Sequence, residues 1–171
     1  MSRHLIFAAL FVVGCAHAAP AQEPLPSVHQ VMSENKEKIN NQLETQNYKR
    51  KRMVESNMAL DGAQAETFWP IYTLYRGEMD GLNRDTFQLL LGYARAYGSG
   101  AVTDDDASKM IKTYKSLHVK RQMILNRYID EVADKMSPII AMRFLQIEEQ
   151  LDAADILDTG SRIPLVGKAQ L

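Results

Sequence analysis

From Phe68 to Tyr97 the large apolar side chains (Phe68, Tyr72, Tyr75, Met79, Leu82, Leu89, Leu90, Tyr93, Tyr97) recur three and four residues apart. That spacing puts them on one face of a helix about 30 residues long. The same period returns twice more. Met110, Ile111, Tyr114, Leu117, His118, Leu125, Tyr128, Ile129, Val132 and Met136 trace a second buried stripe, and Ile140, Phe144, Ile147, Leu151 and Ala154 a third. A fourth, thinner stripe precedes them: Val28, Val31, Met32, Ile39, Leu43, Met53 and Val54, interrupted by Asn35, Gln42 and Gln46. No segment alternates with period two, so the chain reads as all-α: four long amphipathic helices in a hairpin-like bundle.

The boundaries are written in capping chemistry. Ser27 caps a first helix running to about Met58. Asp61-Gly62-Ala63-Gln64 sets an acceptor three residues ahead of a glutamine that reaches back, a capping box for the second helix. Gly98-Ser99-Gly100 ends that helix. Thr103 caps the third, with Asp104, Asp105 and Asp106 filling a first turn whose dipole favours negative charge. Ser137-Pro138 then begins the fourth at once, with proline at the first helical position, and Gly160 stops it. Pro70 falls inside the second helix, away from its stripe, and predicts a kink there.

The N-terminus reads as an export signal. Arg3 supplies a positive start, Leu5 to Val13 an apolar run, and Ala16-His17-Ala18 a small-x-small cleavage site, giving a signal over residues 1–18. A second processing route competes: Val12-Val13-Gly14-Cys15 resembles a lipoprotein box in which Cys15 becomes the lipidated first residue. Cys15 is also the one cysteine, so no intramolecular disulfide is available and stability must come from packing. Residues 19–26, with three prolines, form an extended leader. Residues 27–166 form one helical domain in which Ile163-Pro164-Leu165-Val166 folds back on the core, and residues 167–171 are a tail. No run of about 18 apolar residues occurs, so no part of the mature chain reads as a membrane span.

Charge excludes one class of partner. With 20 basic and 21 acidic side chains the chain lacks the excess of a nucleic-acid binder, and removing residues 1–18 takes only Arg3. Locally the charge is uneven. Lys49-Arg50-Lys51-Arg52 is a basic run, and the third helix has Lys109, Lys112, Lys115, Lys120, Arg121 and Arg127 with no acid from Ala107 to Ile129. The fourth helix has Glu148, Glu149, Asp152, Asp155 and Asp158. These runs read first as solvated faces that complement neighbouring helices, and second as a basic surface for anionic partners. Arg121 breaks the pattern by falling inside an apolar stripe, where a guanidinium needs a carboxylate; Glu148 is the first candidate and Glu78 the second.

Nothing points to catalysis. Beyond the signal the only histidines are His29 and His118, and His118 reads as a core side chain bonded to a neighbour. No zinc-type spacing, nucleophile elbow or phosphate loop is present, and no cofactor or metal is called for. The chain reads as one that binds. Met32, Met53 and Met58 offer adaptable apolar contact beside Lys49, Arg50, Lys51 and Arg52. Trp69 and Phe87, five turns apart, point about 100° away from the main stripe of the second helix, toward either a second buried side or a partner.

Leu60-Asp61-Gly62-Ala63-Gln64 and Val102-Thr103 are similar to the paired Leu-Thr-x-x-Gln motifs of the Spy-type periplasmic stress proteins, with Asp for Thr in the first and no Gln after the second. Phe68-Trp69-Pro70-Ile71-Tyr72, Ala141-Met142-Arg143-Phe144-Leu145-Gln146-Ile147-Glu148 and Ile163-Pro164-Leu165-Val166 resemble a largely uncharacterised branch of that group, and the likeness covers about residues 48–166. The resemblance implies a four-helix hairpin-like fold, a homodimer, and ATP-independent binding of unfolded envelope proteins in the periplasm. The histidine ligands of metal-responsive relatives have no equivalents here. Two other roles fit the same residues: an adaptor docking one membrane signalling protein, and a structural envelope protein anchored through Cys15.

Overall fold

The computed structural model describes residues 27–98, 100, 102–160, 163 and 165. The export signal over 1–18 with Cys15, the leader over 19–26 and the tail over 167–171 lie outside the described residues. Within them the chain is all-α, with four long helices and one short one: α1 (Val28–Glu34), α2 (Lys36–Met58), α3 (Gly62–Gly98), α4 (Asp104–Lys135) and α5 (Pro138–Gly160).

Each of the four starts that the sequence predicts is capped. Ser27 Oγ accepts from the Gln30 amide at 3.1 Å. Asp61 and Gln64 exchange both capping-box bonds, at 2.9 and 3.2 Å. Thr103 and Asp106 do the same for α4, and Ser137 Oγ accepts from the Ile140 amide at 3.3 Å. These bonds satisfy amides that have no partner inside the helix. Helix α3 continues through Pro70 to Gly98 without interruption.

The first helix, expected unbroken to Met58, is two. Asn35 leaves helical geometry (φ −107°, ψ 14°), and its side-chain amide donates to the Val31 carbonyl at 2.9 Å. An asparagine that bonds its own backbone offers the chain an alternative to the next helical turn. Helix α2 ends at Ala59, which adopts the left-handed conformation at φ 48°.

The main core lies between α3, α4 and α5. Phe68, Tyr72 and Tyr75 of α3 surround Phe144 of α5, with ring centroids 5.3, 6.0 and 5.4 Å away, and Tyr75 meets Tyr128 of α4 at 5.6 Å. Leu125 and Val132 of α4 and Ile140 and Ile147 of α5 complete it. Helix α2 contributes only Val54 and Met58, both fully buried. A fully buried side chain of this kind stabilises by about 1.5–3 kcal/mol, so most of the apolar stabilisation belongs to the three C-terminal helices.

One expected stripe is only partly covered. In α4, Leu117, Leu125, Tyr128 and Val132 are buried, but Ile111, Tyr114 and His118 are exposed. Arg121 sits opposite Asp152, so eight residues further along α5 and eight back along α4, Gly160 stands level with Thr113. Ile111 therefore lies beyond the end of α5, whereas Tyr114 and His118 lie alongside its last turns and are exposed all the same. His118 is not a core histidine: it is exposed, and its ring stacks on exposed Tyr114 at 6.3 Å.

Candidate functional site: an ionic seam and an exposed face

Two features stand out against this frame. One is a charged network where α2 meets α3 and α5. Glu148 is fully buried and accepts from Arg50 Nη2 at 2.7 Å and from Tyr75 Oη at 2.9 Å, with Arg76 Nη1 at 3.9 Å. Arg50 also donates to Asp152 at 2.7 Å and to Asp155 at 2.6 Å. Arg76 donates to Asn47 Oδ1 at 2.7 and 3.1 Å and lies 3.5 Å from Asp80, while the Asn47 amide donates to Asp80.

The electrostatics follow from this crowding. Burial disfavours the charge on Arg50, but Glu148 and then Asp152 more than reverse that, and the guanidinium holds its proton more firmly than a free one. Burial, followed by the charge of Glu148, pushes the phenols of Tyr72 and Tyr75 above the ordinary tyrosine value. At the far side of the bundle, hydrogen bonds from Tyr128 and Arg127 hold the Glu78 carboxyl below its usual range.

The expected pair of Arg121 with Glu148 does not form. Arg121 donates to Asp152 at 2.8 Å and to Asn83 at 2.7 Å, and its side chain keeps 30 % of its exposure. The second candidate, Glu78, is taken by Arg127 and by Tyr128 Oη. Arg121 lies in the half of α4 that is incompletely covered, so it reaches a partly solvated acid, and the buried acid goes to Arg50. The basic run is accordingly divided. Lys49, Lys51 and Arg52 are exposed, whereas Arg50 turns inward. Met53 is exposed, Met32 half-buried, and Met58 sealed in the core, so Arg50 and Met58 are not available as surface contacts.

Trp69 and Phe87 separate as well. Trp69 packs edge-on against Phe68 and Tyr72 and lies under the Lys51 ammonium at 5.3 Å. Phe87 remains 37 % exposed.

The second feature is the outer face of α4, which sequence periodicity had assigned in part to the core. Ile111, Val119 and Met123 are exposed there within about 120° of one another, among Lys112 and Lys115, and Tyr114 is exposed at the opposite edge, on the side of the buried stripe. On the α3 side, an open groove of about 580 Å³ is lined by Leu89, Gly92, Met110 and Leu117 with Lys112 and Lys120; neither histidine nor cysteine lines it.

Among the described residues no group of three or more His, Cys, Asp and Glu side chains is placed to hold a metal ion; the acids of the seam are drawn onto guanidinium groups. Among the same residues no helix is long and apolar enough to cross a membrane. The class these features define is an all-α bundle with a charged internal seam and one apolar-cationic outer face. No family model, curated protein or solved structure matches the chain.

Proposed function

We propose that this is an exported periplasmic protein that shields non-native segments of envelope proteins without ATP. The observation that carries the reading is the exposed half of α4, where Ile111, Tyr114, Val119 and Met123 are 55, 63, 57 and 66 % exposed on one helix. Several large apolar groups left in water on one element mark an interaction surface. Tyr114 and the flexible thioether of Met123 adapt to varied partners, and Lys112, Lys115 and Lys120 attract acidic ones. Exposed Lys49, Lys51, Arg52 and Met53 add a smaller face of the same character. The signal-like N-terminus and the resemblance to Spy-type proteins support the same compartment and the same kind of activity.

Light scattering of a reduced or denatured client tests it. Wild type suppresses aggregation of more than one client, less so at high salt, where exposed charges are screened beyond about 8–10 Å. The triple variant Ile111→Ser, Tyr114→Ser, Met123→Ser loses most of the protection while keeping its helicity, since all three side chains are exposed. Absence of protection by wild type at several-fold excess would remove the reading. Undiminished protection by the triple variant would move the surface off α4.

A further inference from the structure

Helices α1 and α2 are joined to the protein differently from the way α3, α4 and α5 are joined to one another. Of the sixteen residues in the main apolar cluster, only Val54 and Met58 come from α2, and α1 has no buried residue. Before Val54 the seam of α2 is mostly polar, with Ile39 its one buried apolar residue among those described. Asn40 accepts from Arg84 at 3.3 Å, Asn47 accepts from Arg76, and Arg50 reaches Glu148, Asp152 and Asp155.

A second observation falls at the same place. Among the described residues, four buried side-chain polar atoms have no hydrogen-bonding partner in the protein: Arg50 Nε, Tyr72 Oη, Asp80 Oδ1 and Glu148 Oε1. All four lie along this seam, where Asp80 Oδ1 keeps only the 3.5 Å ionic contact with Arg76. Buried polar atoms left unpaired favour any state in which water reaches them, and a buried ion pair gives back much of its Coulomb energy as hydration when it opens. The far end of α2 is different: Met58 is sealed in the core, its carbonyl accepts from Arg143, and the chain turns at Ala59. The geometry is that of a strap, hinged at Ala59 and held along its length mainly by polar contacts.

We propose that α1–α2 is a displaceable strap, and that the seat it leaves between α3 and α5 takes a basic amphipathic helix of a partner protein. Such a helix is recognised by an arginine in the place of Arg50, with an apolar side chain four residues further on, in the place of Val54. Charge supports this occupant. Without Arg50 the seat holds four carboxylates (Asp80, Glu148, Asp152, Asp155) against three guanidinium groups (Arg76, Arg84, Arg121), so a cationic helix is favoured over an acidic or purely apolar one. The inference goes beyond client shielding by the α4 face and does not depend on it.

The probe is a fluorescent synthetic peptide of residues 36–58 added to the intact protein. Peptide and resident strap compete for one seat, so apparent affinity follows the fraction of molecules whose strap is open. Arg50→Ala in the full chain loosens the resident strap and tightens peptide binding by about tenfold or more, while the same change made in the peptide weakens its binding by about tenfold. Equal affinity of wild type and Arg50→Ala for the peptide overturns the proposal, as does equal binding of the two peptides. If Arg50→Ala does not fold, hydrogen exchange on the wild-type chain decides. Amides of α1 and of α2 through Val54 then exchange at least about tenfold faster than the slowest amides of α3, α4 and α5. Protection of α2 equal to that of the core overturns it.

Discussion

Arg50 and Glu148 are 98 residues apart in the chain and 2.7 Å apart in the fold, and the carboxylate between Arg50, Tyr75 and Arg76 is fully buried. The contact closes the bundle by tying the second helix to the last. It also concentrates the main electrostatic cost of folding at one seam, because each of these groups gives up water to enter it.

Glu148→Ala leaves the Tyr75 phenol without its acceptor and takes from Arg50 its fully buried carboxylate, while Asp152 and Asp155 still pair with Arg50, and lowers stability to urea by about 1.5–3 kcal/mol. The double variant Arg50→Met, Glu148→Leu removes the main pair together and loses less than the single variant. A urea midpoint unchanged by Glu148→Ala would show that the network does not hold the fold.

Arg121→Ala has a much smaller effect. Its partner Asp152 keeps 21 % of its side-chain exposure and stays paired with Arg50. Partly solvated pairs contribute about 1 kcal/mol or less, so the same urea titration places this variant near wild type and well above Glu148→Ala.

Ala59 turns through the left-handed region at φ 48° without being glycine. That conformation costs an ordinary residue about 1–2 kcal/mol, while glycine gives back about 0.4–1 kcal/mol through the greater freedom of the unfolded chain. Ala59→Gly therefore stabilises by roughly 0.5–1 kcal/mol, read as a rise in the thermal midpoint; a fall would mean that the Ala59 methyl packs usefully.

The capping boxes are independent of the seam. Asp61→Ala and Thr103→Ala each remove a side-chain acceptor from a helix start and cost about 1 kcal/mol. The sites lie on separate helix ends, so the double variant loses the sum of the two, checked by urea unfolding; a markedly smaller loss would mean that one of the starts is already frayed.

Alkali acts through Tyr72 and Tyr75. Burial first, and Glu148 second, raise both phenols in the folded protein. Their contribution is fully present below the usual phenol value of about 10 and is lost as pH climbs toward the folded value, because the unfolded chain releases its protons first. Stability to urea falls above about pH 10, and ultraviolet titration shows Tyr72 and Tyr75 ionising only as the protein unfolds. Smooth, reversible ionisation of all seven tyrosines in one step would overturn this.

The class of fold and nearly every helix boundary are legible in the amino-acid sequence, the break at Asn35 excepted. Ser27, Asp61 with Gln64, Thr103 with Asp106, and Ser137 with Pro138 act on amides within three residues, so their meaning does not depend on what lies across the bundle. The central stripes from Phe68 to Leu82 and from Leu125 to Val132 were legible for the same reason: periodicity fixes which face of a helix is apolar. Tertiary structure decided what that face meets. Helix α5 ends level with Thr113, so Ile111 keeps the spacing of a core stripe but has no α5 residue beside it, and Tyr114 and His118 stay exposed beside the last turns of α5. Arg50 sits in a run of four basic residues that are locally alike, and only the approach of Glu148, Asp152 and Asp155 from α5 selects it to turn inward. Partner choice among charges is a long-range property: it depends on which acid the packed helices bring within hydrogen-bonding reach, and no local pattern encodes that distance.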